Sequence, residues 1–179
     1  AIFEIKAVLE DIRMGAIGGL LGGLDLWELA VVPMLLYNSE TWTDINDEVV
    51  EELEDIQLQF LRVLFEVPVS TPKPILSWDT ATLSMKNKID LRKVNLAIHL
   101  QKLNDNALAK QVFEEQKINR WPGLYKEVKE ICRLWGLENV CHEKEKKMTK
   151  YKWKKLLKSA VNEKNKNDIL ESVERYTKL

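Results

Sequence analysis

The chain has 179 residues, of which 45% are hydrophobic and 31% charged, with seven glycines, five prolines and two cysteines. That length can bury a core as one domain or two small ones, and the composition is that of an ordinary globular protein. Two cysteines exclude a disulfide framework and point to a reducing, intracellular setting.

The net charge of −1 conceals a split. Residues 1–66 hold three bases and fourteen acids, a net of −11; residues 67–179 hold twenty-four bases and fourteen acids, a net of +10. Such asymmetry fits a chain with one half facing nucleic acid and the other facing protein or solvent, or two halves that attract each other. No basic n-region or cleavage site precedes Ile2, so no signal peptide is expected. Starting at Ala1, the chain reads as a piece of a longer protein.

In chain order, residues 2–13 carry Ile5, Val8, Leu9 and Ile12 at helical spacing. Gly15, Gly18, Gly19, Gly22 and Gly23 then break or loosen the helix, each at a cost of roughly 1 kcal/mol relative to Ala. They allow either a close backbone approach to a neighbouring helix or nucleic-acid strand, or a flexible turn. A phosphate loop is excluded, since there is no GxxxxGK[ST] and no preceding strand.

Residues 25–38 are the next helix, with Asp25 as N-cap. Trp27, Ala30, Val31, Met34 and Tyr37 lie on one side, and Leu26, Leu29, Pro33 and Leu36 cover much of the rest, the pattern of a buried helix. It is too short and too interrupted by Asp25 and Glu28 to span a bilayer, and no membrane partner is expected. Pro33 predicts a kink. Tyr37 and Trp42 read as core residues.

Residues 46–66 form a strongly amphipathic helix. Val49, Val50, Leu53, Ile56, Phe60, Leu61, Leu64 and Phe65 make its stripe, while Glu48, Glu51, Glu52, Glu54 and Asp55 are expected in water. Pro68, Pro72 and Pro74 make residues 68–78 an extended linker and subdomain boundary.

Residues 82–103 read as a helix sandwiched between others. Met85, Ile89, Leu96, Leu100 and Leu103 form one apolar flank; Leu91, Val94 and Ile98 form another. Lys86 and Lys93 would share one exposed strip, and Lys88 and Arg92 the other. Shorter helices follow at 105–118 and 123–136, separated by the breaker Trp121-Pro122-Gly123.

The segment His142–Lys158 holds eight lysines against Glu143 and Glu145. Thr149 is a candidate N-cap for a helix with Trp153, Leu156, Leu157, Ala160 and Val161 facing a core. Lys150, Lys152, Lys154, Lys155 and Lys158 fan over the opposite face with Tyr151 among them. Lysines there could meet phosphates, and an aromatic could stack on a base; a solvated lysine face is the plain alternative. Asn167 or Asp168 would cap a last helix carrying Ile169, Leu170, Val173 and Tyr176. Cys141-His142 lacks the CxxC spacing and ligand number of a zinc site, which leaves an ordinary cysteine and a surface histidine. No Ser-His-Asp or Cys-His arrangement can be built from His99 and His142. No repeat of solenoid period is present.

Four blocks resemble one family in order. Gly18-Gly19-Leu20 through Glu28 resembles the glycine-rich segment before the "P-x-L-L-Y" helix of reverse transcriptases of non-LTR (LINE-type) retrotransposons. Val32 to Trp42 resembles that family's "P-x-L-L-Y-N-x-E-T-W". Pro72-Lys73-Pro74-Ile75-Leu76 with Trp78, then Met85-Lys86-Asn87-Lys88-Ile89, resembles its proline turn and basic helix. Tyr151-Lys152-Trp153-Lys154-Lys155 and Tyr176-Thr177-Lys178-Leu179 resemble the linker leading to its zinc-binding segment.

The resemblance implies the thumb domain and following linker of an RNA-directed DNA polymerase. The expected fold is all-α: a thumb-like helical bundle over 1–67, a proline-containing linker over 68–78 and a basic multi-helix linker domain over 79–179. The implied partners are an RNA template, a DNA primer, and the palm and zinc-binding segment of the parent polymerase. The implied mechanism is positioning, with a helix tracking the duplex minor groove. Lys86, Lys88, Arg92, Lys93, Lys150, Lys152, Lys154, Lys155 and Lys158 are the expected phosphate contacts, in the nucleus. The family's [FY]xDD aspartates, which would hold Mg²⁺ in the parent enzyme, are missing, since the sequence contains no Asp-Asp pair. This chain by itself is therefore expected to hold no cofactor and catalyse no polymerisation. The rival reading is a helical protein-interaction or structural domain derived from a retroelement, without nucleic-acid activity.

Overall fold

The computed structural model describes residues 19–138 and 149–177. The helix expected at 2–13, Gly15, Gly18, Cys141, His142, the lysines at 144, 146 and 147, and Lys178-Leu179 lie outside the described residues. The fold is all-α: α1 (Gly19–Leu26), a π-helical turn (Trp27–Val31), α2 (Val32–Leu35), a 3₁₀ turn (Ser39–Thr41), α3 (Asp47–Leu64), α4 (Lys73–Thr80), α5 (Met85–Lys102), α6 (Leu108–Asn119), α7 (Leu124–Leu134) and α8 (Lys150–Thr177). No strand occurs among the described residues. The chain divides into two compact units: unit 1 is residues 1–37 and 46–85, and unit 2 is residues 38–45 and 86–179.

In unit 1 the described glycines do not break the helix. Gly19, Gly22 and Gly23 lie inside α1, and Asp25 is its penultimate residue rather than the cap of a new helix. The glycine penalty is modest, and burial of the following apolar residues outweighs it. The expected irregularity at Pro33 appears one turn earlier, as a π-turn. The Val32 amide bonds back to the Trp27 carbonyl, widening the helix where the proline ring would meet the carbonyl before it. Trp27 and Leu36 are fully buried. Tyr37 is not the expected core residue: it is 80% exposed, because the helix has ended and Asn38 turns left-handed.

Helix α3 follows its sequence closely. Asn46 caps it by accepting the Glu48 amide at 3.1 Å. Leu53, Phe60, Leu61 and Leu64 are buried, and Phe60 stacks on Trp27 with ring centroids 4.4 Å apart. The end is a Schellman motif: Val67 N–H reaches Arg62 C=O, Glu66 N–H reaches Val63 C=O, and Glu66 adopts φ 53°. Glu48, Glu51, Glu52 and Asp55 are exposed as expected, but Glu54 is buried.

Residues 68–78 are not wholly extended. Pro72 is the N-cap of α4 and Pro74 sits in its first turn. A first-turn proline loses no hydrogen bond, because those amides have no intrahelical partner. The segment that reads as a linker from its prolines is therefore half helix, with Leu76 buried.

Unit 2 is built on α5, α6, α7 and α8. Ile89, Val94 and Ala97 of α5, Phe113 of α6, Val128 and Ile131 of α7, and Trp153, Leu157 and Val161 of α8 are among its buried apolar residues. Gly123, at φ 142°, makes the α6–α7 turn; a Cβ there would lie 3.1 Å from the Gln116 side chain, whose oxygen accepts the Tyr125 amide at 3.3 Å. Helix α7 closes in a second Schellman motif around Gly136. Buried Cys132 is disulfide-bonded, a departure from the ordinary thiols expected of two isolated cysteines. The separate last helix capped at Asn167 or Asp168 is not present: α8 runs unbroken through both, with Lys164 and Asp168 paired one turn apart along it.

Candidate nucleic-acid interface

The expected basic residues fall into two groups that the structure treats differently. The first belongs to α5. Lys86 is exposed in its first turn. Arg92 is partly exposed, with a guanidinium nitrogen 4.0 Å from a Glu40 carboxylate oxygen. Lys93 is 4% exposed, and its ammonium lies 2.6 Å from Glu127 of α7. Lys88 is 6% exposed. The two exposed strips expected on α5 are therefore not formed: Lys88 and Lys93 are interior, where a phosphate cannot meet them. The physical reason is that α5 is enclosed on more of its circumference than its apolar residues alone require. Buried cations are tolerated only with a partner, which Lys93 has in Glu127.

Asp90 belongs to the same cluster. Burial lifts its carboxyl from the ordinary 3.8 to about 6; Lys86 and Lys93 pull it back down and Glu127 pushes it further up. Glu127 also accepts the Asp44 amide at 2.8 Å, so one carboxylate serves both Lys93 and the segment 38–45.

The second group lies on the amino-terminal half of α8. Thr149 caps the helix as expected, its hydroxyl accepting the Lys152 amide at 3.4 Å. Trp153, Leu157, Val161 and Asn165 recur every four residues and are buried, and Asn87 of α5 donates to Asn165 at 3.2 Å. That inward stripe forces Lys152, Lys154, Lys155 and Lys158 outward, and all four are exposed. Lys150 opens the helix. Tyr151 is 76% exposed among them. Residues 150–162 contain five lysines and no acid, and none of the four exposed lysines forms an ion pair with a described residue. Beyond them charges pair within the helix, as at Arg175–Glu171.

This placement opposes the helix dipole. Acids favour the first turn of a helix and cations the last. Helix α8 has no acid in its first turn and concentrates lysines there. Backbone amides and ammonium groups thus present positive potential at one end, which suits a polyanion.

Sequence reasoning missed three polar residues that organise these surroundings: Glu54, Glu127 and Asn165. Each lies on an amphipathic helix where polar usually means solvated. The one signal in the sequence was the position of Asn165 in the inward stripe of α8, four residues after Val161.

Among the described residues no group of three His, Cys, Asp or Glu side chains could hold a metal ion, and no helix is long and apolar enough to cross a membrane. No protein-family model, curated protein or solved structure matches this chain.

Proposed function

We propose that this chain is the non-catalytic thumb and linker of a non-LTR retrotransposon reverse transcriptase, binding and positioning the RNA template–DNA primer duplex for a palm elsewhere in the parent protein. The observation that carries the reading is the exposed lysine face of α8, unpaired among the described residues, with Tyr151 within it. It is joined by the ordered blocks of sequence from Gly18 to Tyr176, above all Val32 to Trp42.

The chemistry is positional. Ammonium groups on one helix face displace condensed counterions from phosphates, and Tyr151 offers a ring for a sugar or base. Lys152, Lys154, Lys155 and Lys158 are the proposed contacts, with Lys150 at the helix start and Lys86 and Arg92 on α5. Lys88 and Lys93 drop out. The acidic surface of α3 repels a polyanion, an effect screened over about 8 Å at physiological salt. The proposed site of action is the nucleus, on RNA–DNA hybrid.

A second reading, docking of a protein, is favoured by one observation: Leu29, Met34 and Tyr37 are exposed within the short stretch 29–37.

The test is affinity for a labelled RNA–DNA hybrid between about 50 and about 200 mM salt, where each phosphate contact contributes about 0.9 to the slope of log affinity against log salt. The wild-type chain should show a steep negative slope. Replacing Lys150, Lys152, Lys154, Lys155 and Lys158 by Gln should flatten it. Binding that is absent, or indifferent to salt, rejects duplex positioning and leaves protein docking.

A further inference from the structure

Residues 38–45 interrupt unit 1, in that residues 1–37 and 46–85 belong to it while the eight between belong to unit 2. The interruption is bounded by left-handed joints at Asn38 (φ 59°) and Asp44 (φ 50°), the only two such residues before α3 among the described residues. Asn and Asp tolerate that conformation better than other side chains, so the chain can turn sharply at both ends. Trp42 and Ile45 of the segment are half-buried, and its polar attachments centre on Glu127 and Arg92. The Asp44 amide donates to Glu127 at 2.8 Å, while the other Glu127 oxygen holds Lys93 at 2.6 Å. Glu40 lies 4.0 Å from Arg92, beyond hydrogen-bond reach. Ser39 is fully buried, yet its hydroxyl has no hydrogen-bond partner, and neither has one Glu40 oxygen. Buried oxygens without donors oppose docking, so the segment is held where an opposing cost is built in.

We propose that residues 38–45 form a releasable clasp, locked by Glu127, that keeps the Glu40 carboxylate beside Arg92. Segments that swing do so through a few terminal residues that absorb the backbone change, and Asn38 and Asp44 occupy those places. Undocking takes Glu40 away from Arg92 and leaves a more positive α5 surface. That last consequence, for nucleic acid, rests on the proposed duplex binding; the clasp itself does not.

The test is hydrogen–deuterium exchange on the full chain. In the wild type the Asp44 amide is protected. In Glu127→Ala the amides of 39–45 should exchange at least tenfold faster, with α3 and α7 unchanged. Because Glu127→Ala strands the Lys93 charge, the double variant Lys93→Met, Glu127→Met removes both charges and the Asp44 acceptor together, at constant net charge, and should show the same local acceleration. Unchanged exchange in 39–45 overturns the clasp, as does acceleration spread equally over α3, α5 and α7. Hybrid binding by the double variant should strengthen, with a salt slope steeper by up to about 0.9, as the Arg92 contact is relieved of the Glu40 carboxylate beside it. An unchanged slope beside a binding wild type overturns the role at Arg92. A wild type that binds no hybrid overturns the proposed function, and the exchange result still decides the clasp.

Discussion

The carboxylate of Glu54, on α3, accepts a hydrogen bond from the backbone amide of Met85, the first residue of α5, at 2.6 Å. Its other oxygen lies 3.3 Å from the Lys73 ammonium. One turn on, the Gln57 side-chain amide donates to the Leu83 carbonyl at 3.1 Å. Residues 81–84 have no regular structure, so their backbone groups need other partners: Trp78 and Thr80 take the Ala81 and Thr82 amides, and α3 serves the Leu83 carbonyl.

Glu54→Ala should therefore cost about 1.5–3 kcal/mol, the range for a charge-assisted bond whose loss leaves a buried donor unpaired. Glu54→Gln keeps an acceptor and should cost less. Lys73→Met should cost under about 1 kcal/mol, since Lys73 is half exposed. Urea unfolding midpoints of the three variants give the order. Equal losses for Lys73→Met and Glu54→Ala would show that the ion pair, not the Met85 amide, is what matters.

Trp27 and Phe60 stack at 20° in the centre of unit 1, and Trp27 has no exposed surface. Trp27→Ala should destabilise by about 3–5 kcal/mol through lost burial and the cavity left behind. Trp27→Phe keeps the stack and should cost markedly less. Calorimetric unfolding checks both, and a loss under about 1 kcal/mol for the alanine variant would mean that the site collapses without penalty.

Asp90 gives stability a pH dependence of definite sign. Its folded value, about 6, lies above the ordinary 3.8, so the folded chain binds this proton more tightly than the unfolded chain. The contribution is complete below about pH 4 and is lost as pH rises through about 6. At about 1.4 kcal/mol per unit the full swing is of order 3 kcal/mol. Asp90→Asn should accordingly stabilise unit 2 near neutral pH and bring no gain near pH 4. Denaturant titrations at the two pH values measure the difference, and a gain of the same size at both would exclude Asp90 as its source.

The lysines that open α8 stand against the helix dipole, so function and stability should respond in opposite directions. Lys150→Glu with Lys152→Glu should raise thermal stability, by about 0.3–1 kcal/mol per favourable charge, while weakening hybrid binding. Melting temperature and hybrid affinity measured on the same preparation make the comparison. Stability and binding falling together would instead make these lysines part of the helix's own packing.

Where one helix face sufficed, the structure was legible in the sequence. The stripes Leu53–Phe60–Leu61–Leu64 of α3 and Trp153–Leu157–Val161 of α8 follow from helical period, and so do the exposed lysines opposite the second stripe. Reading failed where a residue type was trusted over its surroundings. Gly19, Gly22 and Gly23 read as a break, yet stay helical. Pro72 and Pro74 read as an extended linker, yet start a helix, because a first turn has no amide bond for proline to remove. Tyr37 read as core from its phase, yet lies past the last helical turn.

The sequence by itself determined the all-α class, the lysine run on α8 and the absence of an Asp-Asp pair, since each is a matter of period or composition. Only the tertiary structure decided which charges are inside. Glu54 meets its amide 31 residues away, and Lys93 meets Glu127 34 residues away. A charge enters the interior only where the fold brings it a partner, and no local pattern names a partner at that distance.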